Sequence, residues 1–175
     1  MARSWWYLAG LLGWLMPAGV SAQAQGPYLV GVHGGFDFTN GGTDNPRVGI
    51  QGSIPLHWLL TVDPTFSYLY DFPDDPTGTV GGSAWQAYVT VRVHPFGPDS
   101  FLSLGYGLTL VHASVHATDG SFSGSDTDAT DVAVLGLTLP KGRLRPFAEV
   151  YALDLLERRS AVGGHLLAGL NVRLR

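Results

Sequence analysis

From Tyr28 onward the chain alternates, residue by residue, between apolar side chains and small or polar ones. In the first such segment Tyr28, Val30, Val32, Phe36 and Phe38 alternate with Leu29, Gly31, His33, Gly35 and Asp37. Successive side chains of a strand point to opposite faces, so a period of two predicts strands with one apolar and one small or polar face. Val48, Ile50, Ile54 and Leu56 set against Gly49, Gln51 and Ser53 repeat the pattern. Residues 59–72 give its cleanest form, with Leu60, Val62, Phe66, Tyr68, Tyr70 and Phe72 on one side and Thr61, Asp63, Thr65, Ser67 and Asp71 on the other. Further segments run from Trp85 to His94, Leu102 to Leu110, Ala133 to Leu139 and Leu166 to Arg175. Residues 144–156 are ambiguous, because Ala148–Glu157 also suits a helix on propensity. Lying between two strands, this segment is read as the seventh.

Eight strands are thus predicted. Most are about ten residues or longer, whereas ordinary globular strands average about 5–6 and tilted membrane strands need about 9–11. The connections alternate as well. Those around His57-Trp58, Gly97-Pro98-Asp99 and Pro140-Lys141-Gly142-Arg143 are short. Those at Thr39–Pro46, Pro73–Gly82 and Thr118–Asp128 are longer, with a less defined one at Glu157–Gly163. Short turns at one end and long loops at the other match a transmembrane barrel.

Alternation does not say which face is inside. Composition does. Hydrophobic residues make up 45% of the chain and charged ones only 14%, where about 25% charged is usual for a soluble domain. The polar face is rich in Gly, Ser and Thr, and the chain has one lysine, Lys141. Aromatic residues fall at two levels: Tyr28, Trp58, Phe96 and Phe101 near the short turns, and Phe36, Phe38, Tyr68, Tyr70, Phe72 and Trp85 near the long loops. Two girdles mark the two interfaces of a bilayer. Small inward residues suit the narrow interior of an eight-stranded barrel. The expected fold is therefore all-β, an eight-stranded antiparallel up-and-down transmembrane β-barrel. A secreted ligand-binding barrel with its apolar face inward is the soluble alternative.

Residues 1–24 read as a cleaved secretory signal: Arg3, an apolar run from Trp5 to Met16, then small residues with cleavage after Ala22 or Ala24. The run is shorter than the ~20 residues of a spanning helix. The barrel is then expected over residues 25–175. The chain has no cysteine, which excludes disulfides and thiolate metal sites. A net charge of −4 and the lack of a basic patch give no support for nucleic-acid binding.

The Gly-punctuated Tyr28-Leu29-Val30-Gly31-Val32-His33-Gly34-Gly35, the run Leu104-Gly105-Tyr106-Gly107-Leu108, Arg145-Pro146-Phe147-Ala148-Glu149 and the closing Ala168-Gly169-Leu170-Asn171-Val172-Arg173-Leu174 resemble the small OmpA/OmpX-type outer-membrane barrels. The resemblance spans residues 25–175 and implies a bacterial outer-membrane location, contact with outer-membrane lipid and lipopolysaccharide, and insertion by the barrel-assembly machinery. Its motifs are diffuse and speak to architecture; they name no loop partner. Barrels of this group usually end on an aromatic residue, whereas this chain ends Leu174-Arg175.

Ionisable groups are sparse on the inward face: His33, Asp63, Arg92, His94, Glu149 and Arg173. An unpaired charge in a low-dielectric interior is costly, so Arg92 and Arg173 are expected to pair with Glu149, Asp63 or both. A structural polar plug is favoured over a gated ion path, for an eight-stranded barrel has little lumen. His112 and Ser114 form a His-x-Ser pair, as in some outer-membrane barrels that trim lipid A. Only Asp126, Asp128 and Asp131 follow where those enzymes carry Glu, so no catalytic residues are expected. The acidic run Asp119, Asp126, Asp128 and Asp131 lacks EF-hand spacing and reads as solvated loop. No cofactor or metal is expected. A structural or surface-interaction role leads, followed by a narrow pore, a secreted ligand-binding barrel and a lipid A hydrolase.

Overall fold

The computed structural model describes residues 26–38, 46–73, 80–117, 119–140, 142–155 and 163–174, without the side chains of 70–73 and 80. The expected signal segment, Asp74, Asp75, Lys141, Arg175 and the Tyr70 and Phe72 rings lie outside that description.

Eight strands follow in chain order: β1 (Leu29–Phe38), β2 (Pro46–His57), β3 (Leu60–Pro73), β4 (Val80–Val93), β5 (Leu102–Ala117), β6 (Ser123–Thr138), β7 (Leu144–Leu153) and β8 (Gly164–Arg173). Each pairs antiparallel with the next, and β8 closes on β1 from Leu29↔Arg173 to Phe38↔Gly164. Closure leaves the barrel wall without the unpaired edges of an open sheet. The ladder tolerates Pro64, which has no N–H to give: β2–β3 pairing passes from Gln51↔Thr65 to Ile54↔Val62 in one register, stepping over it.

The ambiguous seventh segment is a strand. Its burial alternates, with Arg145, Phe147, Glu149 and Tyr151 inside and Leu144, Pro146, Ala148 and Val150 outside. Closure explains why helix propensity loses here. β6 and β8 each present a backbone edge, and a strand between them satisfies both.

One connection departs from expectation. Thr118–Asp128 is not a long loop. β5 runs on to Ala117 and β6 starts at Ser123, paired from Leu102↔Leu137 up to His116↔Ser123. Asp126, Asp128 and Asp131 therefore stand on a strand. The ribbon extends above the barrel wall, where β6 leaves β7 at Val132↔Leu153. Its strand Ser123–Thr130 carries no apolar alternation, so hydrophobic patterning gave no sign of it; the ladder to β5 forms it instead.

The faces are inverted relative to a soluble barrel. Val32 is 61% exposed, Ile50 60%, Val48 62% and Val89 55%, all pointing away from the axis. The fully or nearly fully buried set includes Arg47, Arg92, Asp63, Glu149, Thr90, Thr109 and Ser67 beside Tyr88, Tyr151 and Leu167. Among the described girdle residues Tyr28, Trp58, Phe96, Phe101, Phe36, Phe38 and Tyr68 are exposed, Phe96 and Phe101 stacked at 5.3 Å, while Trp85 is half-buried between Phe66 and His112.

Candidate functional site

Among the described residues the interior holds two charge clusters, one nearer each end. The lower one, toward the short turns, is built on Arg92 of β4. Its Nε lies 2.9 Å from Asp63 Oδ2 on β3, its Nη1 meets Glu149 Oε1 on β7, and its Nη2 donates to Glu149 Oε2 at 3.1 Å and to the Tyr151 hydroxyl at 2.8 Å. The planar fork of arginine thus grips one carboxylate with two nitrogens and a second with the third. Tyr151 donates to Glu149 at 2.7 Å and Ser53 to Asp63 at 2.9 Å, so both acids gain a neutral donor as well.

Reaching from β4 to β7 means crossing β5 and β6. Glycine makes that possible. A Cβ at Gly105 would sit 2.8 Å from Arg92 Cγ, and one at Gly136 would crowd the Ser103 hydroxyl, with Arg92 Nη1 and Glu149 Cγ each 3.5 Å away. The small residues of the inward face are therefore the floor over which the guanidinium lies.

The upper cluster is built on Arg47 of β2, which is buried. It pairs with Asp37 of β1 and donates through Nη1 to Gln86 at 2.8 Å and to the Tyr88 hydroxyl at 2.7 Å. His165 of β8 places Nδ1 2.9 Å from the same Asp37. Between the clusters lies an aromatic layer. Tyr88 and Tyr151 have ring centres 5.2 Å apart, and His165 closes the group at 6.0 and 6.3 Å. His33 meets Ser67 at 2.9 Å and Gln51 donates to Asn171 at 3.1 Å.

Of the six inward residues expected from sequence, Arg92, Asp63 and Glu149 come together. His33 is buried against Ser67, and His94 meets Thr61 at 3.0 Å nearer the short-turn mouth. Arg173 differs. It is exposed at the short-turn rim, because β8 ends there, and it pairs with neither Glu149 nor Asp63. The reading by sequence omitted Arg47, Asp37, Tyr88, Tyr151 and His165 as network members. Parity could have found them: Asp37 stands in step with His33, Arg47 with Gln51, Tyr88 with Arg92, Tyr151 with Glu149 and His165 with Asn171. Arg145 of β7 is also buried and donates to Asp99 at 2.6 Å.

His112 and Ser114 do not form a nucleophile–base pair. His112 Nδ1 lies 2.7 Å from the Thr127 hydroxyl and its ring stacks on Trp85, while Ser114 bonds Ser83. Asp119, Asp126 and Asp128 are exposed and accept N–H groups from Ser121, Thr127 and Ala129. Among the described residues no group of acids and histidines is placed to hold a metal ion.

No protein-family model matches this sequence, and no curated protein matches it. Solved structures do. Neisserial surface protein A aligns with a TM-score of 0.62 at 13% identity, over 84% of this chain and 97% of its own. The N-terminal β-barrel domain of Pseudomonas aeruginosa OprF aligns at 0.55 and 15%, over 84% and 99%. Ail, the attachment invasion locus protein of Yersinia pestis, aligns at 0.54 and 13%, over 85% and 97%. The fold is that of the small outer-membrane barrels, and the likeness is one of architecture.

Proposed function

We propose that this protein is an integral barrel of the bacterial outer membrane with a structural or surface-interaction role. It is secreted with a signal cleaved after Ala22 or Ala24, inserted by the barrel-assembly machinery, and set with its short turns in the periplasm and its longer connections outside. One observation carries this reading: the barrel points its aliphatic side chains outward and its charges inward. Exposed to water, that belt would be a contiguous apolar patch far larger than monomers display. Facing hydrocarbon, it is the favourable arrangement, and the closed barrel leaves no open sheet edge in its wall to meet lipid.

The interior favours a plug over a pore. Arg92 and Arg47 are each held by several partners from different strands, and Tyr88, Tyr151 and Leu167 fill the space between them. Ail is an attachment invasion locus protein and Neisserial surface protein A a surface protein. A contact role for the long-loop end of this chain, including the β5–β6 ribbon, accords with both.

Membrane fractionation of cells expressing the full sequence tests the reading. Recovery in the outer membrane is expected, with boiled and unboiled samples migrating differently. Recovery as a soluble protein with no mobility shift would overturn it and make the apolar face a ligand-binding core.

A further inference from the structure

Among the described residues, two arginines at the short-turn rim have no side-chain partner. Arg143 lies in the β6–β7 turn and Arg173 at the end of β8. They are neighbours across the ladder, with the Arg173 N–H donating to the Arg143 carbonyl at 2.8 Å. Both side chains are exposed, and among the described residues neither takes part in an ion pair or a side-chain hydrogen bond. The barrel treats its other described arginines differently: Arg47, Arg92 and Arg145 are each buried on a carboxylate.

The pair borders an open cleft of about 680 Å³, lined by Gly26, Pro27, Tyr28, Gly142, Arg143, Arg173 and Leu174. Tyr28 and Leu174, joined by a 2.9 Å backbone hydrogen bond, are both about half exposed, and the outward Leu144 follows directly on Arg143. Cationic groups therefore meet apolar surface at the lower edge of the belt. Lys141 and Arg175 adjoin the pair in sequence, so five of the ten Lys and Arg residues fall in the segments 141–145 and 173–175. Among the described residues the opposite end has the reverse sign: Asp119, Asp126 and Asp128 are exposed, and no exposed Lys or Arg accompanies them.

We propose that this cleft binds the headgroup of an anionic phospholipid of the periplasmic leaflet, with Arg143 and Arg173 on the phosphodiester and Tyr28 and Leu174 against the glycerol and first methylenes. Arginine matches phosphate oxygens with paired N–H groups. Basic pockets at the membrane surface select anionic headgroups in this way. The proposal rests on the outer-membrane reading above.

The test uses the protein expressed from its full sequence and purified from membranes in detergent. Phosphatidylglycerol and phosphatidylcholine with the same acyl chains are supplied in equal amounts, and bound lipid is read by native mass spectrometry. Phosphatidylglycerol adducts are expected in about tenfold excess, falling to parity in R143A/R173A and largely kept in R143K/R173K. Parity in the parent protein, or an unchanged preference in R143A/R173A, would overturn the proposal. Millimolar inorganic phosphate is expected to leave the lipid adducts in place; its displacing them would assign the cleft to a free anion. Arginine-dependent sedimentation with purified peptidoglycan in the absence of lipid preference would likewise overturn the proposal. Heat-modifiable mobility of each sample reports folding first, so a failed outer-membrane assignment is seen before any lipid is added.

Discussion

Replacing Arg92 with methionine is expected to cost the barrel about 3–5 kcal/mol of stability, the usual penalty for removing one partner of a buried charge group. Arg92 holds both Asp63 and Glu149, and all three are buried. Methionine keeps much of the length across Gly105 and Gly136 but leaves the two carboxylates, among the described residues, with Ser53 and Tyr151 as hydroxyl donors. The loss should appear in urea unfolding of vesicle-inserted protein, followed by tryptophan emission. Neutralising the stranded acids should restore part of it, so R92M/D63N/E149Q is expected to be more stable than R92M. A change below about 1 kcal/mol, the range of exposed ion pairs, would mean that the cluster is solvated and the lumen wet.

On the outer face the largest effect is expected from Ile50→Arg. Ile50 pairs with Val32 near the middle of β1 and β2, and both point away from the axis. A cation at the mid-belt of a membrane barrel costs about 2–4 kcal/mol. In a water-exposed barrel the same change at a 60% exposed site would fall within about 0.5 kcal/mol of neutral. Folding of the Ile50→Arg protein into vesicles, compared with the parent under the same urea series, separates the two.

Much of this architecture was legible because a strand's side-chain period is two and a barrel keeps that phase along most of its wall. Strands β1 to β4 and β8 could be placed by their apolar partners alone, and the inward positions of Asp63, Arg92 and Glu149 followed from parity. Three things were hidden, each for a physical reason. The β6 half of the ribbon, Ser123–Ala129, is exposed on both faces, so its residues carry no hydrophobic phase. Arg173 has inward parity, but parity does not say where along the axis a strand ends. The upper cluster around Arg47 joins β1, β2, β4 and β8, and only the closed register brings Asp37 beside both Arg47 and His165. Which inward groups meet is a property of closure, not of any one strand.

The central claim is that the apolar face meets lipid. Beyond the first 24 residues the only tryptophans are Trp58 and Trp85, one in each aromatic girdle. Fluorescence of residues 25–175 in vesicles of brominated phospholipid tests the claim most directly. Both tryptophans are predicted to be quenched, more strongly by bromines placed near the headgroups than by bromines deep in the chains, with Trp58→Phe leaving the Trp85 component. Emission unaffected by bromine at any depth, from protein that remains outside the vesicles, would contradict the account.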